Sequence, residues 1–357
     1  MALEAGRRRL RGLGFSTHGG PEQVGWVDLP VPEPGPGEVR IRVHAAAFNR
    51  LDRFVLAGMP GIRIDLPHIL GSDAAGVVDR VGTGVTDLAP GAEVLVNPGL
   101  WDGTCEYCRA GQESLCRDFR ILGEHTQGSA TEFVVVPRRN VYPKPSAWSW
   151  AEAAAAPLVF QTAWRALGTV GELQPGETVA IIGAGGAVSP AAVQVAHLRG
   201  GRVVVVGRSQ EKLDRAMALG AEAGLLATEE KPHDRLLWEW SNKRGIDLIF
   251  DSSGTETVPR SLRALARGGR VVVIGATTGY KVEVDLGTLF WRQGSLRGST
   301  MASRAEFDEV YAELVQGHLH PVVDSEWEWG RGVESFRRLA DPGVFGKVVL
   351  RTLPQSQ

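Results

Sequence analysis

A two-domain α/β chain is the fold class that this sequence predicts, a β-rich unit plus a doubly wound parallel sheet. Three observations carry that expectation. The 357 residues are enough for two separate cores. Residues 1–145 are short β-branched runs split by Gly and Pro, whereas from about residue 149 near-continuous Val/Ile runs alternate with helical stretches. Residues 321–329 and 347–352 then return to strand texture, so the end of the chain is expected to rejoin the first domain.

In the first half, residues 38–43, 75–81, 93–97 and 132–136 read as strands. The Pro- and Gly-rich segment 30–37 is a stiff turn region. Ser149-Trp150-Ala151-Glu152 is a capping box that opens an Ala-rich helix. Strands follow at 178–183, 202–206, 247–251 and 270–274, with helices from about Pro190, over 210–219 up to Gly220, and around 256–267. Val/Ile strands without polar alternation are buried on both faces, as in a parallel sheet covered by helices on each side. A second capping box, Ser303-Arg304-Ala305-Glu306, starts another helix.

Composition excludes some partners. Hydrophobic and charged contents of 43% and 22% are ordinary for a globular enzyme. A net charge of −2 and a pI near 6.5 leave no electrostatic footprint for nucleic acid or an anionic membrane. Arg7-Arg8-Arg9 is not followed by a signal-peptide core, and no run of 18 apolar residues occurs. A cytoplasmic protein acting on a small molecule is the expectation.

All three cysteines fall in one loop, D-G-T-C-E-Y-C-R-A-G-Q-E-S-L-C over 102–116. Cys105, Cys108 and Cys116 with Asp102 give three thiolates and one carboxylate, a closed tetrahedral shell for one structural Zn²⁺. An odd cysteine count with no second cluster argues against a disulfide framework.

A Gly-rich loop follows the strand at 178–182: Gly183-Ala184-Gly185-Gly186-Ala187-Val188-Ser189-Pro190. Small residues between strand and helix let backbone N–H groups approach a pyrophosphate. Val188 breaks the full glycine pattern. The next strand ends in Gly207-Arg208-Ser209 with no carboxylate for a ribose hydroxyl. A guanidinium and a hydroxyl there suit a 2′-phosphate, so NADP(H) is favoured over NAD(H). The plainer alternative is that Arg208 is solvated and Ser209 caps the next helix.

With these pieces in order, the chain resembles the medium-chain dehydrogenase/reductase superfamily, in its quinone-oxidoreductase-like or zinc-binding alcohol dehydrogenase branch. The matching segments are Pro32-Glu33-Pro34-Gly35, Ala45-Ala46-Ala47-Phe48-Asn49, Gly71-Ser72-Asp73-Ala74-Ala75-Gly76, the Cys loop, residues 157–167, the Gly loop, Asp251-Ser252-Ser253-Gly254, Gly298-Ser299-Thr300-Met301 and Phe345-Gly346-Lys347-Val348-Val349. The resemblance implies a GroES-like catalytic domain over 1–155 and 305–357, carrying the zinc loop at 98–118, and a Rossmann domain over 156–304. It implies a homodimer or homotetramer; Phe290 and Trp291, beside a strand expected over 298–301, then lie either at a subunit interface or in the core. It places Thr162 against nicotinamide, Gly275-Ala276-Thr277 along the carboxamide, Ser252 at the cofactor and Lys347 at the pyrophosphate.

The departures from the family pattern set the expected mechanism. Zinc alcohol dehydrogenases of the family carry a catalytic Cys where this chain has Asn49, a His-Glu pair where it has Ser72-Asp73, and a third ligand near Leu158. An amide, a hydroxyl and an aliphatic carbon cannot form the shell that zinc needs to polarise an alcohol. Asp52, Asp73, Glu124 and His125 are the candidates for a relocated site. His68 and His125 are more simply satisfied loop or core histidines. Zinc-free relatives move hydride from NADPH to the β-carbon of an enone, enal, quinone or enoyl thioester. Asn49 is the first candidate either to donate to the carbonyl oxygen or to hold the nicotinamide ribose; turn chemistry at a strand end is its alternative. Trp164 is assigned to packing, and no tyrosine matches a proton-donor motif. The competing functions are an alcohol dehydrogenase or aldehyde reductase, and a nucleotide-binding protein without turnover.

Overall fold

The computed structural model describes residues 8–59 and 61–352; Arg7 of the basic lead lies outside them. The chain divides into one unit built from the residues up to Leu158 and those from Pro321 onward, and a second over Val159–His320.

In the first unit a seven-stranded sheet runs in the order Val141–Pro143, Glu93–Val96, Asp73–Val81, Glu38–Phe48, Lys347–Arg351, Val323–Trp327, with Phe133–Pro137 pairing the first half of Glu38–Phe48. Strand Arg9–Phe15 pairs antiparallel with Gly25–Pro30 and with His68–Ile69 in a smaller sheet. Val39, Ile41, Val43, Val348 and Leu350 are fully buried between these layers. The register matters for function. Ala47 stands opposite Asp73 and Phe48 opposite Val348. The ends of three adjacent strands therefore bring Asn49, Asp73 and Lys347 together.

The second unit is a six-stranded, wholly parallel sheet ordered Ala223–Leu226, Arg202–Gly207, Thr178–Ile182, Ile246–Asp251, Leu265–Val273, Ser295–Gly298. Every residue of Thr178–Ile182 and of Ile246–Asp251 is buried, as the unbroken apolar runs require. In order of appearance the strands read 3-2-1-4-5-6, the doubly wound arrangement whose ligand crevice opens at the carboxyl ends beside strand 1.

Four expectations are corrected. The helix expected around 256–267 covers only Val258–Arg263, and strand Leu265–Val273 starts five residues before the expected Arg270; Gly268, at φ +74°, turns the backbone in what reads as a loop. The edge strand is Ser295–Gly298 and not 298–301, since Met301 is left-handed at φ +48°. Helix Arg304–Val315 belongs to the parallel-sheet unit and not to the closing segment. Its Glu306 accepts from Arg165 at 2.9 Å and from the Thr169 hydroxyl, and Glu309 accepts the Trp164 indole N–H at 2.9 Å.

Candidate functional site

Of the positions where the resemblance places catalytic-metal ligands, Asn49, Asp73 and Leu158 are joined by hydrogen bonds here, and Lys347 completes the cluster. Lys347 Nζ donates to Asp73 Oδ2 and to Asn49 Oδ1, each at 2.6 Å. Asn49 Nδ2 donates to Asp73 Oδ2 at 2.8 Å. Asp73 Oδ1 accepts the backbone N–H of Leu158 at 2.9 Å. Asn49 is itself at the N-cap of helix Arg50–Ala57. Below it Asp52 uses one carboxylate oxygen for the Asn49 N–H (2.7 Å) and the other for the Gly71 N–H (2.6 Å). Gly71 takes φ +94°, and a Cβ there would meet Ser129 Oγ at 2.7 Å, so only glycine suits this turn. Asp52, Asp73 and Lys347 are all buried. Burial pushes the Asp52 carboxyl up to about 6, against the pull of its two backbone donors. The Ser72 hydroxyl is buried without a partner among the described residues.

Lys347 therefore does not stand as a pyrophosphate contact: its ammonium is spent on Asp73 and Asn49, where 1% of its side chain is exposed. Lys347 carries no sequence signal for this role. For Asp52, an acid three residues after an N-cap Asn is the one local cue.

The cysteine loop does assemble. Ligand atoms of Asp102, Cys105, Cys108 and Cys116 lie within 4.8 Å of one another. Cys105 and Cys108 Sγ are 3.6 Å apart, too far for a disulfide and near the edge of about 3.8 Å that a tetrahedron of Zn–S bonds of about 2.3 Å requires. Asp102 turns Oδ2 toward Cys116 Sγ at 3.2 Å, while Oδ1 accepts the N–H groups of Thr104 and Cys105 at 2.5 and 2.8 Å. These bonds hold its carboxyl well below the ordinary range. The donor set fits one closed-shell zinc. It is the one group of three or more His, Cys, Asp or Glu among the described residues that could hold a metal. Glu124 Oε2 lies 3.2 Å from His125 Nδ1, the nitrogen that accepts the Ile121 N–H. His68 is buried and bonded to the Gly123 carbonyl at 3.0 Å, a satisfied core histidine.

On the parallel sheet, the expected nucleotide residues gather at the carboxyl ends of the strands. Gly183 turns at φ +97°, and a Cβ on Gly183 or Gly186 would meet no protein atom within 4 Å, leaving backbone open to a ligand. Gly185, Ala187 and Val188 share that partly exposed turn, and Ser189 is buried in the first turn of helix Val188–Leu198. A Cβ on Gly207 would meet Ala184 Cβ at 2.8 Å, so its smallness lets the second strand end pack under the loop. Arg208 is exposed, and Ser209, at the N-cap of helix Gln210–Met217, makes no side-chain cap bond. Ser252 and Gly275-Ala276-Thr277 sit at the ends of neighbouring strands, with Thr277 Oγ1 donating to the Ser252 carbonyl at 3.1 Å. Thr162 is buried, its hydroxyl 3.8 Å from Met301 Sδ. Trp164 packs as expected, under the Arg199 guanidinium at 4.0 Å. This crevice fits a nicotinamide dinucleotide.

Comparison with known proteins agrees with both units. Residues 35–146 match the family described as alcohol dehydrogenase GroES-like domain, and residues 187–316 that described as zinc-binding dehydrogenase. An acryloyl-coenzyme A reductase of Metallosphaera sedula is 32% identical over 90% of this chain and 94% of its own length. The crystal structure of an NAD-dependent alcohol dehydrogenase aligns with TM-score 0.91 and 42% identity, covering 96% of this chain and all of that one. A crotonyl-CoA carboxylase/reductase in complex with NADP aligns with TM-score 0.85 and 28% identity, covering 96% and 94%. The chain belongs to the medium-chain dehydrogenase/reductase superfamily, in its zinc-type alcohol dehydrogenase-like branch. It is an oxidoreductase with a GroES-like and a Rossmann domain.

The family's catalytic zinc does not fit the residues present. Asn49 has both ends of its amide engaged, Leu158 offers only a backbone N–H to the site, and Asp73 is already paired with an ammonium. One buried hydroxyl, on Ser72, is no substitute for a thiolate/imidazole shell.

Proposed function

We propose that this enzyme reduces carbon–carbon double bonds conjugated to a carbonyl, in an enone, enal, quinone or enoyl thioester, with NADPH and without a catalytic metal. The observation that carries the proposal is the buried Asn49–Asp73–Lys347 cluster, whose hydrogen bonds use up the donor atoms a zinc would need. The acryloyl-coenzyme A reductase and the crotonyl-CoA carboxylase/reductase among its relatives support the substrate class. The exposed Arg208 and the uncapping Ser209 support a 2′-phosphate.

Gly183–Ser189, Ser252 and Gly275–Thr277 would hold NADPH, which would supply a hydride to the β-carbon. As that bond forms, negative charge develops on the carbonyl oxygen. Hydrogen-bond donors held in place are sufficient to stabilise it, and the uncommitted Nδ2 hydrogen of Asn49 is the donor assigned. Thr162 walls the nicotinamide, and solvent returns the proton to the α-carbon. The Asp102, Cys105, Cys108 and Cys116 zinc only holds its loop. We infer further that the enzyme works as a homodimer or homotetramer.

The 42% identity to an NAD-dependent alcohol dehydrogenase favours a second reading, reduction of the carbonyl itself. Product analysis with NADPH and an α,β-unsaturated aldehyde separates the two. A saturated aldehyde is expected. An allylic alcohol as the main product overturns conjugate reduction.

A further inference from the structure

The Asp73–Lys347 pair is fully enclosed, with 0% and 1% of the two side chains exposed and 2.6 Å between charges. Enclosing an ion pair is no efficient route to stability, because apolar groups of the same volume serve as well or better. The pair does something else that the geometry makes plain. An ammonium can only donate and a carboxylate can only accept. Asn49 lies between them, its Oδ1 on Lys347 and its Nδ2 on Asp73. The amide can therefore sit only one way round, and of its two N–H bonds one is left over. The third corner of this triangle is closed by Lys347 on Asp73 itself, and the free end of Asp73 is held by the Leu158 N–H.

We propose that Lys347 is the resident cation of this site, neutralising Asp73 and fixing the Asn49 amide so that its spare N–H faces a substrate oxygen, where related enzymes use a divalent metal. Lys347 and Asp73 are positioning residues that act through Asn49. The substrate half of this statement rests on the conjugate-reduction proposal, whereas the identity of the cation does not. The substitution also sets specificity. An ammonium has no open coordination position for an alkoxide, so the site gives up alcohol chemistry; an enolate oxygen, which needs only a donor, is still served.

The test has two arms on the full-length protein. In the first, protein equilibrated with excess Zn²⁺ and freed of loose metal is assayed for bound zinc. One ion per chain is expected, and none after Cys105→Ser with Cys108→Ser. A second ion per chain that survives the cysteine substitutions and disappears with Asp73→Asn overturns the proposal. The second arm is kinetic. Lys347→Met alone leaves a buried carboxylate unpaired and is prone to misfold. The double variant Lys347→Met, Asp73→Asn removes both charges at once, and its circular dichroism spectrum and thermal midpoint check that it folds. Its kcat for enal reduction is expected to fall at least about tenfold while KM for NADPH stays within about twofold, since a misaimed donor affects charge development and not cofactor binding. A double variant that keeps wild-type kcat overturns the positioning role. If the wild type reduces no conjugated double bond at all, the functional proposal fails, and the zinc count still decides which cation is resident.

Discussion

Asp52 is the residue whose environment makes the sharpest claim about pH. It is 0% exposed, and burial displaces its carboxyl from 3.8 to about 6. Because the folded pKa lies above the unfolded one, the native state binds the proton more tightly. That stabilisation is fully present below about pH 4 and is lost as pH rises through 6, a loss of about 3 kcal/mol in all. Urea midpoints of the wild type should therefore fall relative to those of Asp52→Asn between pH 4.5 and 7; parallel profiles would refute the assignment. Ser72 gives a second expectation. Its buried hydroxyl has no partner among the described residues, so Ser72→Ala should raise stability by about 1 kcal/mol, read as a higher urea midpoint. A drop instead would mean that the hydroxyl has a partner after all. At this scale the sequence discloses Asn49 and the cysteine loop, because the first departs from a family motif and the second is a local spacing. It does not disclose the pairing of Lys347, which lies 274 residues from Asp73 and 298 from Asn49. Only strand register brings them together.

The strand–loop–helix element around Gly183 ties local geometry to cofactor use. Gly183 needs its positive φ, but Gly186 does not, and a Cβ at Gly186 would touch no protein atom. Gly186→Ala should thus leave thermal stability unchanged while weakening NADPH binding at least about tenfold, if the pyrophosphate approaches that backbone as closely as such loops require. Unchanged affinity, measured by fluorescence titration, would remove the pyrophosphate from this position. Both capping boxes are legible elements. Ser149 accepts from the Glu152 N–H and Ser303 from that of Glu306, because a cap is a four-residue pattern with its own chemistry. The start of strand Leu265–Val273 is not legible. Arg267-Gly268-Gly269 reads as a turn, and pairing with Ile246–Asp251, through a register shift between Ile246 and Leu248, overrides local preference.

At the scale of the whole molecule, the ownership of residues 304–320 escapes the sequence. Pattern alone shows a capped helix after the parallel sheet. The bonds of Glu306 to Arg165 and of Glu309 to Trp164 assign it to that unit. The outer edge of the same sheet carries the last prediction. Among the described residues, strand Ser295–Gly298 pairs on one side only, with Leu265–Val273, and a free strand edge is a surface that proteins cover or blunt. Beside it in sequence Leu286, Phe290 and Trp291 are 67%, 64% and 71% exposed, so the alternative that Phe290 and Trp291 are core residues is excluded for the isolated chain. Large apolar side chains clustered at this exposure mark an association surface more often than a solvated one. A two-fold axis at the edge would let a second copy cover the same residues with its own, as self-complementary dimers do. Light scattering on the eluting protein should then give twice or four times the 38.4 kDa of the chain. Phe290→Glu with Trp291→Glu places four like charges across such an interface and should yield a monomer with an unchanged circular dichroism spectrum. A wild type that elutes as a monomer at micromolar concentration, or a double variant that stays oligomeric, would show that this face is not the one that associates.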